Sequence, residues 1–175
     1  IDVLLARRFF DPDIAGKYAV LSTLGKIIFF GTAAIGKAMF PLTSEKFDEN
    51  KETSGIFRKS FALISILCLI AILFYFLIPN LIITIAFGSK YTDMAPMLGY
   101  MGIAISLLSI SNLILLYGLA TNRLRKPYLL IIFLIIEIVL LALLNSDIKS
   151  YLEALVLSNI IMLFGSIYLV KRKHR

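Results

Sequence analysis

Long apolar blocks alternate with short polar segments along this chain of 175 residues, and their lengths predict helices that cross a membrane. A membrane-spanning helix needs about 20 predominantly apolar residues. The blocks predict helices at about residues 14–42, 57–78, 95–119, 128–144 and 151–170. Residues 1–10 have only about half the spanning length. We therefore expect them to be the end of a further helix, and the chain to be truncated at its N-terminus.

Two segments depart from this pattern. Residues 44–52, SEKFDENKE, are too highly charged to insert and are expected to connect two helices at the membrane surface. Residues 80–87 are apolar but too short to span, which favours an interfacial helix. Lys and Arg are concentrated in the connector, in the loop at 122–126 and in the C-terminal tail. The positive-inside rule places these segments, including the C-terminus, on the cytoplasmic side of the cell membrane.

The composition supports an all-α integral membrane fold. Hydrophobic residues make up 59% of the chain, well above the share in soluble domains. The net charge is +7, but the basic residues are scattered between apolar blocks, so we expect no nucleic-acid partner. Cys68 and His174 are each the only residue of their type, which excludes a disulfide within the chain and a Ser-His-Asp triad. We expect no enzymatic activity, no catalytic residues, no metal and no cofactor.

The helix predicted at 14–42 contains two lysines, Lys26 and Lys37, that do not suit a lipid environment. A charged residue at the bilayer centre costs about 2.5–3.5 kcal/mol and usually faces a cavity or another charge. Because the two lysines are eleven residues apart, they lie within about 20° of each other around the helix. They are predicted to form a cationic wall of a hydrated cavity. The alternative is that their side chains extend to lipid headgroups, which suits Lys37 better than Lys26.

The same helix has two faces of different polarity. Ala15, Ala19 and Ser22 are expected on the side of the lysines, towards water or other helices. The opposite side is apolar and is expected to suit lipid; it contains Val20, Leu21, Leu24, Ile28, Ile35 and Leu42.

Four other charged residues fall inside predicted helices. Arg7 and Arg8 point about 100° apart, and a guanidinium can bind phosphate through two hydrogen bonds. We consider them substrate-binding candidates or interfacial anchors. Asp2 and Glu137 are intramembrane carboxylates, which can bind a coupling proton or cation or take part in internal pairing, for example between Asp2 and Lys26.

Several short motifs occur in a recognisable order. They are Asp2 with Leu4-Leu5, Ala15-Gly16-Lys17-Tyr18-Ala19, Met39-Phe40-Pro41 with Ser44, Phe87-Gly88-Ser89-Lys90-Tyr91, and Ala95-Pro96-Met97-Leu98. In order and spacing they resemble the C-terminal half of polysaccharide (Wzx-type) flippases of the MOP superfamily, which also includes the MATE drug exporters. The resemblance covers nearly the whole chain.

This resemblance implies a two-lobed, all-helical transporter, of which the chain forms one transmembrane lobe. It implies that a lipid-pyrophosphate-linked oligosaccharide or polysaccharide repeat unit is moved across the cytoplasmic membrane by alternating access. The expected partners are this lipid-linked glycan, membrane lipids and the missing N-terminal lobe, on the same or a separate chain.

Two other functions remain open at this point. A cation-coupled multidrug exporter of the same superfamily would favour acidic groups such as Asp2 and Glu137 in its cavity. A non-transporting membrane assembly subunit would use its lysine face to bind acidic residues on a partner helix.

Overall fold

The computed structural model describes residues 1–124 and 127–170, and this part of the chain is a bundle of helices. The α-helices are α1 (Asp2–Phe9), α2 (Pro12–Asp48), α3 (Ser54–Leu77), α4 (Pro79–Phe87), α5 (Ala95–Ala120), α6 (Leu130–Leu143) and α7 (Ile148–Leu169). Short 3-10 helices occupy Ser89–Met94 and Pro127–Leu129. The all-α membrane fold expected from the sequence is thus confirmed, while the predicted C-terminal tail beyond Val170 lies outside the described residues.

Four helical stretches are long and apolar enough to cross a membrane: Pro12–Asp48, Ser54–Leu77, Ser89–Ala120 and Ile148–Leu169. The block predicted at 128–144 forms a shorter apolar stretch, Pro127–Leu143. Its α-helical part, α6, has 14 residues and is about 21 Å long, which is less than the thickness of the hydrocarbon core. The expected interfacial helix at 80–87 corresponds to α4, which ends at Gly88 in the left-handed region with φ +90°.

Helix α2 is longer than its apolar block. The sequence predicts its end near Leu42, but the structure continues the helix to Asp48, so the first half of the expected connector is helical. Pro41 lies inside the helix and does not end it. The residues after it include good helix formers such as Glu45 and Lys46. Their helix propensity therefore outweighs the loss of the one backbone hydrogen bond that Pro41 cannot donate.

Helix α5 lies at the centre of the bundle and packs against α2, α3 and α7. Its contact with α2 is close because Gly25 and Gly36 of α2 face it. A Cβ atom at Gly25 would lie 2.8 Å from Cγ1 of Ile105, and one at Gly36 would lie 2.9 Å from Cδ1 of Leu116. The hydroxyls of Thr32 and Ser109 are 2.9 Å apart across the same interface.

Most of the apolar side of α2 faces protein, which corrects the expectation that it suits lipid. Val20, Leu21, Leu24 and Ile28 are all buried within the bundle, whereas Ile35 is half-buried and Leu42 is exposed. Hydropathy alone does not separate these two environments, because lipid chains and a protein core are similarly apolar. Ala15 and Ser22, expected beside the lysines, are buried as well.

Candidate functional site

The surface of α2 that is not covered by other helices contains the two lysines. Lys26 and Lys37 are both exposed. Their exposed neighbours on α2 include five small or polar residues, Thr23, Gly31, Ala34, Ala38 and Pro41, and four large apolar ones, Ile27, Phe30, Phe40 and Leu42. We call this surface the α2 face. Their exposure leaves both lysines accessible, and their contact with a ligand in a hydrated cavity stays a prediction.

The exposed surfaces of α3 and α6 have a different composition. From Phe61 to Leu77, every exposed side chain of α3 is apolar, and the same is true of α6. Large exposed side chains such as Ile66, Leu73 and Ile135 are suited to lipid chains. The α2 face, with two cations and several small residues, is suited instead to water, to a polar ligand or to another protein surface.

The structure does not gather the four predicted cations into one cluster. Arg7 and Arg8 are exposed in the last turn of α1, close to the turn into α2. Lys37 lies eleven residues beyond Lys26, which is ~16 Å along the helix axis. Within residues 1–124 and 127–170, none of these four side chains forms an ion pair with a carboxylate.

Lys17, on the same helix, is a lysine that forms ion pairs within the protein. Its ammonium group lies 2.9 Å from the carboxylate of Asp13 and 2.7 Å from that of Asp93. It ties the start of α2 to the 3-10 helix Ser89–Met94. Lys26 and Lys37 have no such structural contact, so their charges remain available to a ligand.

Asp2 is held inside the bundle by hydroxyl groups. Tyr18 donates to its carboxylate at 2.9 Å, and Ser22 donates to the same oxygen at 3.1 Å. Tyr151 of α7 donates to the Asp2 backbone carbonyl at 2.7 Å. Lys26 is exposed and forms no ion pair with Asp2. The hydroxyls of Tyr18 and Ser22 are the side-chain partners of Asp2 instead.

Glu137 lies half-buried on α6, beside a small cavity of about 130 Å³ that is also lined by Ser158 and Asn159 of α7. Helix α6 packs against α7 and against α1, the helix of Asp2. The structure therefore brings Asp2 and Glu137 into one region, between α1, α2, α6 and α7. In the part of the chain described, no three His, Cys, Asp or Glu side chains are grouped closely enough to hold a metal ion.

A family model described as "Polysaccharide biosynthesis protein" matches residues 1–96, just over half of the chain. The chain belongs to the polysaccharide biosynthesis protein family. This confirms the family expected from the short motifs. No curated protein and no solved structure matches the chain.

In this polysaccharide biosynthesis protein, the matched segment contains α1 to α4, the α2 face and Asp2. Glu137 and its cavity lie beyond the match, on α6. The family membership therefore applies directly to the cations of the α2 face and to one of the two intramembrane carboxylates.

Sequence reasoning about this polysaccharide biosynthesis protein missed the hydroxyl partners of Asp2. Ser22 was assigned to the lysine side of α2, and Tyr18 was noted only as part of a motif. Tyr151 lies 149 residues from Asp2, and no local pattern links them. A tyrosine within an apolar block was the available signal, because a buried phenol usually requires a hydrogen-bond partner.

Proposed function

We propose that the chain forms one lobe of a flippase that moves lipid-pyrophosphate-linked oligosaccharide or polysaccharide repeat units across the cytoplasmic membrane by alternating access. The observation that supports this most is the α2 face, where Lys26 and Lys37 are exposed and form no ion pair within the described residues, on a helix long and apolar enough to cross a membrane. The basic loops and the C-terminus lie on the cytoplasmic side in this proposal.

The chemistry of the proposed substrate requires fixed positive charge. A pyrophosphate group loses hydration when it leaves water for the bilayer, and cations in a partly dehydrated cavity offset part of that free energy. Lys26, in the middle of α2, is assigned the principal contact with the pyrophosphate. Because these cations are not clustered, the others are assigned contacts at other stages of transport: Lys37 nearer the cytoplasmic side, and Arg7 or Arg8 near the turn between α1 and α2.

The α2 face covers only one side of such a cavity. In the proposed transporter, the opposite wall is formed by a second lobe, whether on the same or a separate chain. The small residues of the face, including Gly31 and Ala34, leave space beside the lysines for a bulky headgroup. The protein acts as a transporter rather than as a catalyst in this proposal, and needs no cofactor.

The test is glycan export by the complete protein with Lys26→Ala. Loss of a charge-assisted hydrogen bond predicts about a tenfold reduction in export, with an unchanged amount of protein in the membrane. Lys26→Arg should retain most of the activity because the charge remains. Lys59→Ala is the matched control, since Lys59 is an exposed lysine on α3 and away from the α2 face. Normal export by Lys26→Ala would contradict the proposal.

The region of Asp2 and Glu137 favours a second proposal, namely that these carboxyls couple transport to a proton or cation. The packing of α6 against α1 supports coupling, whereas the hydroxyl contacts of Asp2 support internal pairing. Glu137→Gln separates the two: a changed dependence of export on pH or sodium at an unchanged melting temperature indicates coupling, and a lower melting temperature alone indicates a structural role.

Two measurements address the remaining alternatives. A multidrug exporter would lower the cellular accumulation of cationic dyes, and this effect would depend on Glu137 more than on Lys26. An assembly subunit would be purified with a stoichiometric partner that is not a transporter lobe, and Lys26→Ala would weaken that association.

A further inference from the structure

A second site lies at the other end of the bundle from Asp2, where α2 and α5 end, α3 begins and α7 ends. It has two adjoining parts. A polar cavity of about 510 Å³ is lined by Lys51, Glu52, Thr53, Ser54, Tyr117 and Arg123, among others. An apolar cleft of about 510 Å³ is lined by Phe57, Phe61, Ile114 and Ile167, among others. Ser54, Tyr117 and Arg123 line both, so the two parts are continuous.

The end of α5 fixes the backbone at Arg123. Asn122 adopts a left-handed conformation with φ 50°. The Asn122 amide donates to the Leu119 carbonyl, and the Arg123 amide donates to the Gly118 carbonyl at 2.8 Å. This pair of bonds is the Schellman arrangement that ends many helices. Arg123 is thereby directed from a rigid position into the cavity.

The guanidinium of Arg123 has a donor without an acceptor. Its Nε atom is buried, and it has no hydrogen-bond partner in the described part of the chain. A buried donor of a charged group that stays unpaired costs free energy, and a phosphate oxygen would satisfy it with good geometry. Thr53 and Tyr117, whose hydroxyls are 2.9 Å apart, share one hydrogen bond and so retain one hydroxyl proton that can be donated to the same anion.

The charge around the cavity also favours an anion. Lys51 is paired with Glu49 at 2.8 Å, but Arg58, at the edge of the cleft, adds a second arginine to Arg123. Glu52 is the acidic residue of the polar lining.

The apolar cleft indicates what carries the phosphate. Helices α3 and α7 both pack on α5 without packing extensively against each other. Phe61 of α3 and Ile167 of α7, which line the cleft between these helices, are exposed apolar side chains suited to lipid. At the end of the cleft, the backbone of Leu124 pairs with that of Val170. Arg123 and Val170 both line the cleft there, and Arg123 also lines the polar cavity. Free phosphate would need only the polar part.

We infer that this site binds an anionic phospholipid from the leaflet on the side of the basic loops, with the phosphate at Arg123 and an acyl chain in the cleft between α3 and α7. Basic pockets between membrane helices are suited to anionic headgroups. The site is separate from the α2 face, and its occupancy does not depend on the proposed transport function.

The experiment is native mass spectrometry of the complete protein in detergent, with dioleoyl phosphatidylglycerol, dioleoyl phosphatidylcholine or inorganic phosphate as the probe. We expect phosphatidylglycerol to bind about tenfold more tightly than phosphatidylcholine, and Arg123→Gln to remove this preference. Lys59→Gln, which removes a nearby exposed charge that does not line the site, should bind as the wild type does.

A second pair of variants tests the cleft without disturbing the core. Ile167 and Ile131 are exposed by 54% and 59%, and only Ile167 lines the cleft. Ile167→Asn should weaken phosphatidylglycerol binding, and Ile131→Asn should not. If Arg123→Gln fails to fold, this pair of variants still tests whether the cleft binds the acyl chain.

Three outcomes would overturn the inference. One is equal binding of the two lipids by the wild type, and another is equal lipid binding by the Ile167 and Ile131 variants. The third is inorganic phosphate that binds as tightly as phosphatidylglycerol, which would make this a site for free phosphate.

Discussion

The hydroxyl of Tyr151 donates a hydrogen bond of 2.7 Å to the backbone carbonyl of Asp2, and so joins the first turn of α7 to the first turn of α1. The ring of Tyr151 also contacts Phe10 and Tyr18 edge to face, at centroid distances of 5.4 and 5.2 Å. The Tyr151 side chain is thus the point at which α1, α2 and α7 meet, beside the carboxylate of Asp2.

Tyr151→Phe removes this hydrogen bond and keeps the ring contacts. Because Tyr151 is 0% exposed, we expect the free energy of unfolding to fall by about 0.5–1.5 kcal/mol. Chemical unfolding in detergent measures this. Tyr128→Phe is the control, since the Tyr128 side chain is exposed and its variant should unfold like the wild type. Equal loss in both variants would show that the Asp2 contact contributes nothing.

Gly25→Ala and Gly31→Ala form a matched pair within α2. A Cβ at Gly25 would press on Ile105 and Met101 of α5, whereas one at Gly31 meets no atom within 4 Å. Both substitutions should increase helix propensity by a similar amount. The difference in stability between the two variants therefore reports the steric conflict between a Cβ at position 25 and helix α5. We expect Gly25→Ala to be less stable than Gly31→Ala by about 1–3 kcal/mol. Thermal unfolding of both variants in the same detergent measures the difference, and equal stabilities would contradict close packing of α2 on α5.

Cysteine labelling distinguishes the α2 face from the lipid-suited surface of α3. The native cysteine, Cys68, is only 3% exposed and should react little. Thr23→Cys and Ala34→Cys should react with a water-soluble maleimide, because we place this face in a hydrated cavity. Leu73→Cys on α3 should react much more slowly, since lipid excludes the reagent. Unreactive cysteines at both α2 positions would mean that another protein surface covers this face.

Asp147 makes the N-terminus of α7 sensitive to pH. Its carboxylate accepts a hydrogen bond from the Ser150 amide at 2.8 Å. Hydrogen bonds from the side chain and the backbone of Ser150 lower the pKa of Asp147 below its ordinary value. Since the pKa is lower in the folded state, the charged cap stabilises the protein above the unfolded pKa of about 3.9. That stabilisation is lost as the pH falls through the lowered folded-state value.

The measurement is the difference in melting temperature between the wild type and Asp147→Asn. The difference should favour the wild type at neutral pH and shrink as the pH falls below about 4. A difference that stays constant over this range would exclude a contribution from the charge of the carboxylate.

Most helices of this chain could be predicted from the sequence, because a long run of apolar residues is the property that allows a helix to insert into lipid. The end of α2 was misjudged for a physical reason. Pro41 and the charged residues after it are typical of a helix end, but good helix formers such as Glu45 and Lys46 extend the helix to Asp48. The side of α2 that faces protein was also misjudged, since Leu21 and Leu24 would suit lipid equally well.

The candidate site was predictable only where a residue conflicts with its local environment. Lys26 and Lys37 conflict with an apolar helix, and so they were identified without a structure. Arg123 lies in a loop where a cation is ordinary, and its unpaired Nε atom becomes evident only from the fold. The contact of Tyr151 with Asp2 depends on how α1 and α7 meet, which no single segment specifies.

The length of α2 lets one helix connect two distant regions. Its 37 residues extend for ~56 Å, well beyond a hydrocarbon core about 30 Å thick. Tyr18, near one end, donates to Asp2, and Phe47, near the other end, lines the cavity of Arg123. The intramolecular contacts of Asp2 and the proposed lipid site therefore share one helix, so a change at either end can be detected at the other by the same labelling experiment.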